Sequence, residues 1–318
     1  MTSLDLSATE YKAITAGCGV LDRSERGKLA LTGAEAKSFL QGQVSNDVEA
    51  LRPGRGCYAA FLTPKGKMLG DLRILDTGEE LLLDTERVAL QELFNMIRRF
   101  SLGFDVQLHK RTLECGLLSL LGPLAPRAAG VDELGGAAEH SHVVTTVGGI
   151  PARAIRTDLG IDLLCDAAST GALLEGLLQA GAVSVSEEVA ECARVEHGRP
   201  RYGVDLDDTV IPQEAGLNER AVSFTKGCYV GQETVARLHY RGKPNRHLRG
   251  LRLSAPVPSD AEIVFEGRAV GRTASVAQSP ELGPLALAFV RREAGIGSAV
   301  AVGTDGVAAT VVELPFQR

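Results

Sequence analysis

Tryptophan is absent from the sequence, and aromatic residues make up only 4% of its 318 residues. A nucleic-acid interface built on successive stacking rings is therefore not expected. The net charge of −6 and the isoelectric point of about 5.6 point in the same direction, because nucleic-acid-binding domains are commonly basic. We predict no direct nucleic-acid partner.

The sequence also lacks a long apolar run. Its longest apolar stretches, such as residues 117–121, are strand-sized and far short of the roughly 20 residues that a membrane-spanning helix needs. The amino-terminal segment MTSLDLSATEYKAIT has no basic start followed by an apolar core, so it does not resemble a secretory signal. These absences predict a cytoplasmic protein with no membrane partner.

Six cysteines are present, but no two have C-x-x-C spacing and no histidine stands at zinc-finger spacing from them. No metal site is therefore predicted. In a cytoplasmic protein the thiols stay reduced, and five of the six lie among small and apolar residues, as buried cysteines do. The exception is Cys228.

Hydrophobic patterning predicts an α+β fold rather than a doubly wound parallel sheet. Pairs of strand-like segments alternate with helical segments, including a helix predicted over residues 85–100. Beyond Pro244 the helical period stops, and short Val/Leu/Ala strands alternate with Gly and Pro turns, which is typical of a small β-barrel. We place the domain boundary between residues 1–243 and 244–318, at the linker sequence GKPN.

The most specific stretch is KGCYVGQE at residues 226–233, followed by a segment suited to a helix. Gly227 and Gly231 permit a tight turn into that helix. A cysteine just before a helix start faces unpaired N–H groups and the positive end of the helix dipole. Together with Lys226, this favours the nucleophilic thiolate form of Cys228. The alternative is that Cys228 merely fills a turn.

This motif resembles the signature of the YgfZ family, folate-binding relatives of the glycine-cleavage T protein. Other blocks agree with that family in the same order along the chain: RGK at 26–28, FLQGQVSND at 39–47, TPKGKMLGDLRIL at 63–75 and RVEHGRP at 194–200. The resemblance runs from about residue 23 to the carboxyl end, although the β domain is matched only by type.

The resemblance implies a fold, a cofactor and a role. The fold is a ring of two interlocked α+β folate-binding units and a C-terminal β-barrel domain, around a central funnel that holds tetrahydrofolate. Family members support the assembly or repair of iron–sulfur proteins and, indirectly, tRNA modification. The implied partners are a reduced folate and iron–sulfur assembly or client proteins. The activity depends on the signature cysteine, here Cys228, and such a protein is an accessory factor more than a classical enzyme.

The predicted folate contacts come from four segments of the chain. Asp71 and Glu196 each offer a carboxylate that accepts N–H bonds from the amino-pyrimidine edge or N5 of a pterin. Gln43, at the end of the first predicted helix, is expected to line the funnel. The set is completed by three residues of the signature motif, Lys226, Tyr229 and Gln232.

Two departures from the family bear on function. Some bacterial YgfZ proteins have tryptophans at the folate site, aligned with Arg26 and Ala190 here, so this chain must hold the pterin differently or less tightly. The T protein has paired aspartates after a Gly-Gly turn, where this chain reads Gly70-Asp71. This weakens the alternative function, a folate-dependent aminomethyltransferase. A folate-dependent demethylase would need a dinucleotide-binding G-x-G-x-x-G motif, which does not appear, and a binding scaffold is the remaining alternative.

Basic residues concentrate between positions 226 and 252, where seven Lys or Arg accompany a single acid, Glu233. This basic stretch is expected to bind the glutamate tail of folate or an acidic partner, unless acids elsewhere in the fold balance it. RNA is the weakest candidate, because no aromatic platform accompanies the charges in the sequence.

Overall fold

The structure is a computed structural model and describes residues 8–317. Its helices are α1 (Ala8–Ala16), α2 (Ala36–Gln41), α3 (Leu90–Phe100), α4 (Ala125–Ala128), α5 (Thr170–Gln179), α6 (Glu187–Glu196), α7 (Asn218–Ala221) and α8 (Gln232–Arg241). Its strands are β1 (Gly19–Asp22), β2 (Gly27–Thr32), β3 (Arg55–Leu62), β4 (Met68–Asp76), β5 (Leu81–Thr85), β6 (Gln107–Lys110), β7 (Cys115–Leu121), β8 (His142–Val147), β9 (Ile150–Arg156), β10 (Gly160–Asp166), β11 (Val183–Ser184), β12 (Arg246–Leu253), β13 (Glu262–Phe265), β14 (Arg268–Ser279), β15 (Gly283–Arg291), β16 (Ala299–Val302) and β17 (Val307–Val312).

The first α+β unit is a five-stranded antiparallel sheet in the order β3-β4-β5-β2-β6, with α2 and α3 packed on one face. Helix α3 docks through Leu93 and Ile97, which lie one turn apart and are fully buried. Side chains alternate along β4, so Leu72 and Ile74 belong to this core. Asp71 and Arg73 therefore lie on the opposite face of the sheet.

The second unit is a six-stranded sheet in the order β11-β1-β7-β10-β9-β8. Strand β1 precedes the whole first unit in the chain, whereas its sheet partners follow that unit, so the two units are interlocked. Within the described residues the named strands pair antiparallel, except for β1 with β11. The α+β prediction is confirmed.

The chain ends in a closed six-stranded barrel in the order β12-β15-β14-β13-β16-β17. Its core includes Leu251, Ile263 and Val302, and closure leaves no unpaired sheet edge. Strands β14 and β15 pack against α6 of the preceding region. The predicted C-terminal β-barrel is therefore present. It begins with β12, a few residues after the end of α8.

Helix α3 begins five residues later than the helix predicted over residues 85–100. Thr85 is the last residue of β5, where it pairs with Gly27, and its hydroxyl donates a hydrogen bond to the carbonyl oxygen of Asp71. The helix begins only at Leu90. Apolar spacing along the chain does not reveal this cross-strand pairing. Among residues 8–317, no helix is long and apolar enough to cross a membrane.

Candidate functional site

A cavity of about 190 Å³, the central cavity, opens between the two α+β units. The first unit contributes Arg26, Tyr58, Asp71, Arg73, Asp84 and Glu86 to its wall. The second unit and α6 contribute Ser119, Asp158, Asp162, Ala190, Glu191 and Arg194. Further wall residues are Glu139, His140, Arg199, Arg201, Tyr202 and Arg220. The volume is below the roughly 300–1,000 Å³ that encloses drug-sized ligands, so it suits one ring system and not a whole extended molecule.

Paired charges form most of this wall. Arg73 bridges the two units, because its guanidinium bonds to Asp84 of the first sheet and, at 2.7 Å, to Asp162 of the second. Arg26 also bonds to Asp84, at 2.8 Å. On the other side, Arg194 bonds to Asp205 at 2.7 Å. Such buried ion pairs hold their side chains in one geometry, and removal of one partner is costly.

Asp71 differs from the other acids of the cavity. Among residues 8–317, seven carboxylates line it, and six of them pair with an arginine. Asp71 instead accepts a hydrogen bond of 2.7 Å from the hydroxyl of Tyr58. Burial raises the pKa of Asp71 to about 6, an effect that the Tyr58 hydrogen bond partly opposes. The site therefore holds one carboxyl group that changes protonation close to neutral pH.

The structure does not bring the predicted folate contacts together. Of Gln43, Asp71 and Glu196, only Asp71 lines the central cavity. Glu196 lines an adjoining cavity of about 380 Å³, and its carboxylate accepts a hydrogen bond of 2.8 Å from Tyr11 of α1. Because the two cavities share Leu121, Asp158 and Leu159, Glu196 lies beyond the wall of the central one.

Gln43 lines a third cavity, of about 490 Å³, between α3 and the signature loop. Gln43 is therefore not among the residues that line the central cavity, and its contact with folate stays a prediction. The helix that carries it ends at Gln41, and the next residues pair with the outer part of the first sheet, where Val44 bridges to Phe61.

Arg26 and Ala190 both line the central cavity. These are the two positions at which the sequence comparison with the YgfZ family expected tryptophan. At the first position Arg26 pairs with Asp84 and Glu86. At the second position Ala190 contributes only a methyl group. An ion-paired guanidinium and a methyl group thus take the place of aromatic surface, which supports the expectation that a pterin ring is held differently here.

The ammonium of Lys226, which was expected to favour the thiolate of Cys228, is engaged by the backbone. It turns inward and donates hydrogen bonds to the carbonyl oxygens of Gln41, Val44 and Asn46, at 2.5, 2.7 and 2.9 Å. Three donors require the charged form, although burial lowers the pKa of Lys226 to about 8. Lys226 anchors the signature loop to the end of α2 and is not free to contact a cofactor.

The other two motif residues predicted to contact folate lie away from the central cavity. Tyr229 is buried in an apolar cluster with Leu62, Met68 and Val235, and its ring lies 5.0 Å from the Lys226 ammonium. Gln232 is the first residue of α8, and its backbone N–H bonds to the carbonyl oxygen of Tyr229. Neither of them lines the wall of the central cavity.

Cys228 is exposed, whereas Cys18, Cys165 and Cys192 are buried and Cys57 and Cys115 are partly buried. Helix α8 begins four residues later, after Gly231 in a left-handed conformation, so the thiol lies outside the first turn. The thiol does not line the central cavity.

An aromatic cluster adjoins the exposed loop, contrary to the prediction that no platform accompanies the basic stretch. The ring of Phe224 stacks on that of His239 at 3.8 Å, and Tyr240 packs edge-on against both. Two of the seven basic residues of this stretch differ from a free surface charge, because Lys226 is buried and Arg246 pairs with Glu214.

Sequence patterns do not single out Tyr58, Arg73 or His140 as site residues. The available signal is the alternation along β3 and β4, which places a tyrosine and an arginine among apolar residues of buried strands. His140 has no such signal, because it lies in an irregular segment that only the fold carries to the cavity.

Comparison with known proteins identifies relatives along the whole chain. Residues 2–226 match the family described as GCVT N-terminal domain, and residues 246–317 match the Glycine cleavage T-protein C-terminal barrel domain. An aminomethyltransferase of Geobacillus kaustophilus is 31% identical, over 97% of this chain and 90% of that protein. A putative chloroplastic transferase of Arabidopsis thaliana is 28% identical, over 99% of this chain and 74% of that protein.

A solved structure agrees with the sequence matches. The crystal structure of the glycine cleavage system aminomethyltransferase T from Bartonella henselae is similar with a TM-score of 0.85, over 97% of this chain and 89% of that chain. At 24% identity this similarity shows the fold. The T-protein-like architecture predicted from the sequence is confirmed. The chain belongs to the glycine cleavage T-protein family.

Proposed function

We propose that the protein binds a reduced folate, tetrahydrofolate, with its pterin ring in the central cavity. The observation that carries the proposal is Asp71, the one carboxylate of the cavity wall that pairs with a tyrosine hydroxyl in place of an arginine within the described residues. Its second oxygen has no protein donor there and is open to an N–H group of a ring. Membership of the T-protein family supports the same ligand.

Asp71 would act on the ligand through its proton. With its pKa at about 6, the carboxyl group accepts a hydrogen bond from the ring when ionised and holds a proton when neutral. Tyr58 fixes its orientation, and Arg73 closes the cavity between the two sheets. The folate tail would leave the cavity past the segment shared with the adjoining cavity, where Glu196 lies.

We further propose that the protein belongs to the YgfZ branch of this family and is an accessory factor in the assembly or repair of iron–sulfur proteins. The support is the signature KGCYVGQE together with the exposure of Cys228. In this role the cluster is cargo, held briefly by Cys228 and by ligands of an assembly or client protein. Effects on tRNA modification would follow indirectly, through iron–sulfur enzymes.

The second candidate function is folate-dependent aminomethyl transfer. It is favoured by the named aminomethyltransferase relative and by Asp71 in the central cavity. It is disfavoured by the residue before Asp71, which is Gly70 and leaves a single carboxylate at this point of strand β4. Substitution of Cys228 separates the two functions, since the thiol is not part of the cavity wall and would have no part in aminomethyl transfer.

The test combines calorimetry with complementation. We expect the purified protein to bind tetrahydrofolate, Asp71→Asn to bind it at least about tenfold more weakly, and Cys228→Ser to bind it as wild type does. In cells that lack the protein, Cys228→Ser should fail to restore iron–sulfur enzyme activity. Full complementation by Cys228→Ser, with aminomethyl transfer by the purified protein, would establish the second function instead.

A further inference from the structure

Helix α8 presents a positively charged face to solvent. Tyr240 and Arg241 follow Arg237 by three and four residues, so the three exposed side chains share one side of the helix, opposite the buried Val235. Neither arginine forms an ion pair with any of residues 8–317, and Glu233 is the one acid of the helix. Because its guanidinium groups are not neutralised within the protein, this face attracts anionic groups.

A distant segment adds positive charge beside this helix. The turn at residues 63–67 packs against the start of α8, where a Cβ atom on Gly66 would lie 2.9 Å from the Cβ of Thr234. Lys65 of this turn is exposed and forms no ion pair in the described part of the chain. Just beyond the other end of α8, Lys243 is exposed as well. The helix is thus bordered by positive charge at both ends, although the chain has a net charge of −6.

An exposed aromatic ring lies among these charges. Tyr240 is 68% exposed, yet its ring packs edge-on against Phe224 and His239, which stack on each other with their centroids 3.8 Å apart. These contacts hold the tyrosine in place, so little side-chain freedom is lost when a partner covers it. Tyrosine and arginine are also the residue types that often contribute most to binding at protein interfaces. The composition of this face is therefore typical of a protein interface.

The signature thiol lies within the span of one such interface. Helix α8 begins at Gln232, four residues after Cys228, and this stretch of chain spans at most about 14 Å. From Gln232 to Arg241 the helix rises by about 14 Å. A standard interface of about 800 Å² per partner is roughly 30 Å across. A single partner protein can therefore cover the charged face and the exposed Cys228 together.

We propose that the outer face of α8, with Lys65 beside it, is the docking surface for an acidic protein, and that docking places the surface of that protein against Cys228. This inference rests on the proposed accessory role of Cys228 and adds the kind of partner, one that surrounds an apolar contact for Tyr240 with Asp and Glu. RNA is a poorer match, because Phe224 and His239 use one ring face each to stack on each other, and Glu233 repels phosphate.

The first experiment measures how fast Cys228 couples to a short glutamate-rich peptide that has a central leucine and a terminal cysteine, activated as a mixed disulfide with pyridine-2-thiol. The thiolate of Cys228 attacks the peptide sulfur, a disulfide joins protein and peptide, and pyridine-2-thione leaves and is read by its absorbance. A peptide with serine in place of glutamate is the neutral reference. Each rate is corrected for the rate of Cys228→Ser and divided by the rate of the same peptide with mercaptoethanol.

We expect the acidic peptide to couple at least about tenfold faster than the neutral one at low salt, with a difference that shrinks as salt is added. Arg237→Glu combined with Arg241→Glu should abolish the difference. Arg98→Glu combined with Arg99→Glu is the matched control on the exposed end of α3 and should preserve it. Equal coupling of the two peptides to wild type would overturn the inference.

The second experiment decides between protein and RNA by fluorescence anisotropy at about 0.15 M salt. Wild type should bind the labelled acidic peptide more tightly than an oligouridylate of the same charge, and Tyr240→Ala should weaken peptide binding at least about fivefold. Tighter binding of the oligouridylate would overturn the inference and leave the proposed function standing. Full complementation by Cys228→Ser would instead overturn the accessory function and this inference together.

Discussion

The hydroxyl of Tyr58 and the carboxylate of Asp71 meet diagonally across neighbouring strands, at 2.7 Å, on the sheet face that looks toward the second unit. Tyr58 pairs in register with Arg73, and Asp71 with Ala60. One antiparallel register thus brings a tyrosine, an aspartate and an arginine to the same patch of the cavity wall. The ionisation of Asp71 is coupled to folding, so the environment of this carboxylate can be tested by measuring stability as a function of pH.

We expect Asp71→Asn to stabilise the protein at neutral pH. The folded-state pKa of about 6 lies above the ordinary value of 3.8, so the favourable contribution of the neutral carboxyl is complete below about pH 4 and is lost as pH rises through 6. Above that pH, the buried charge costs on the order of 1–3 kcal/mol. Urea unfolding between pH 4 and pH 8 should show a gain for the variant at pH 8 that vanishes near pH 4.

Asp162→Asn is the matched control for this prediction, since Asp162 pairs with the buried Arg73 and its loss leaves that guanidinium with Asp84 alone as its acidic partner. This variant should be less stable than wild type at pH 7. A gain from Asp71→Asn that is the same at every pH would show that ionisation of Asp71 is not the cause.

Cys228 should be the first thiol modified by a small alkylating reagent at neutral pH. Reaction requires access and a thiolate, and Cys228 is exposed whereas burial raises the pKa of Cys18 to about 11 and that of Cys57 to about 12. Mass spectrometry of briefly treated protein should find one adduct, on the signature peptide. Earlier modification of any other cysteine would contradict this assignment.

Lys226→Met should destabilise the protein by about 2–4 kcal/mol, because three carbonyl oxygens lose a charged donor. The loss should appear as a lower urea midpoint with an unchanged slope. Lys243→Met, a change of an exposed lysine just beyond α8, should alter stability by less than about 0.5 kcal/mol. If both variants matched wild type, the anchoring role of Lys226 would be wrong.

Gly231→Ala should disturb the loop that carries Cys228. Gly231 has a φ of 85°, and a Cβ atom there would lie 2.6 Å from the carbonyl oxygen of Thr63. Left-handed strain and this contact together should cost about 2–4 kcal/mol. Gly227→Ala is the control, because nothing lies within 4 Å of its Cβ position. Differential scanning calorimetry should show a lower unfolding midpoint for Gly231→Ala than for wild type. The midpoint of Gly227→Ala should be almost unchanged.

Much of the architecture follows from local patterns in the sequence. The helical period of α3 and the strand alternation of the first sheet are local properties, and so is the change to short strands after Pro244. The signature motif likewise identifies Cys228 as the unusual thiol, because its glycines and polar neighbours do not build a core. Each of these features is a property of neighbouring residues, which is why sequence alone determines it.

Only the tertiary structure decided which side chains meet. Glu196 bonds to Tyr11, 185 positions away, and Lys226 turns to the carbonyl oxygens at the end of α2. Such pairings depend on how the interlocked sheets and α1 are packed, and local spacing carries no information about contacts between distant segments. For the same reason His140, in an irregular segment with no periodic pattern, reaches the central cavity beside Arg73 only because the second sheet closes over the first.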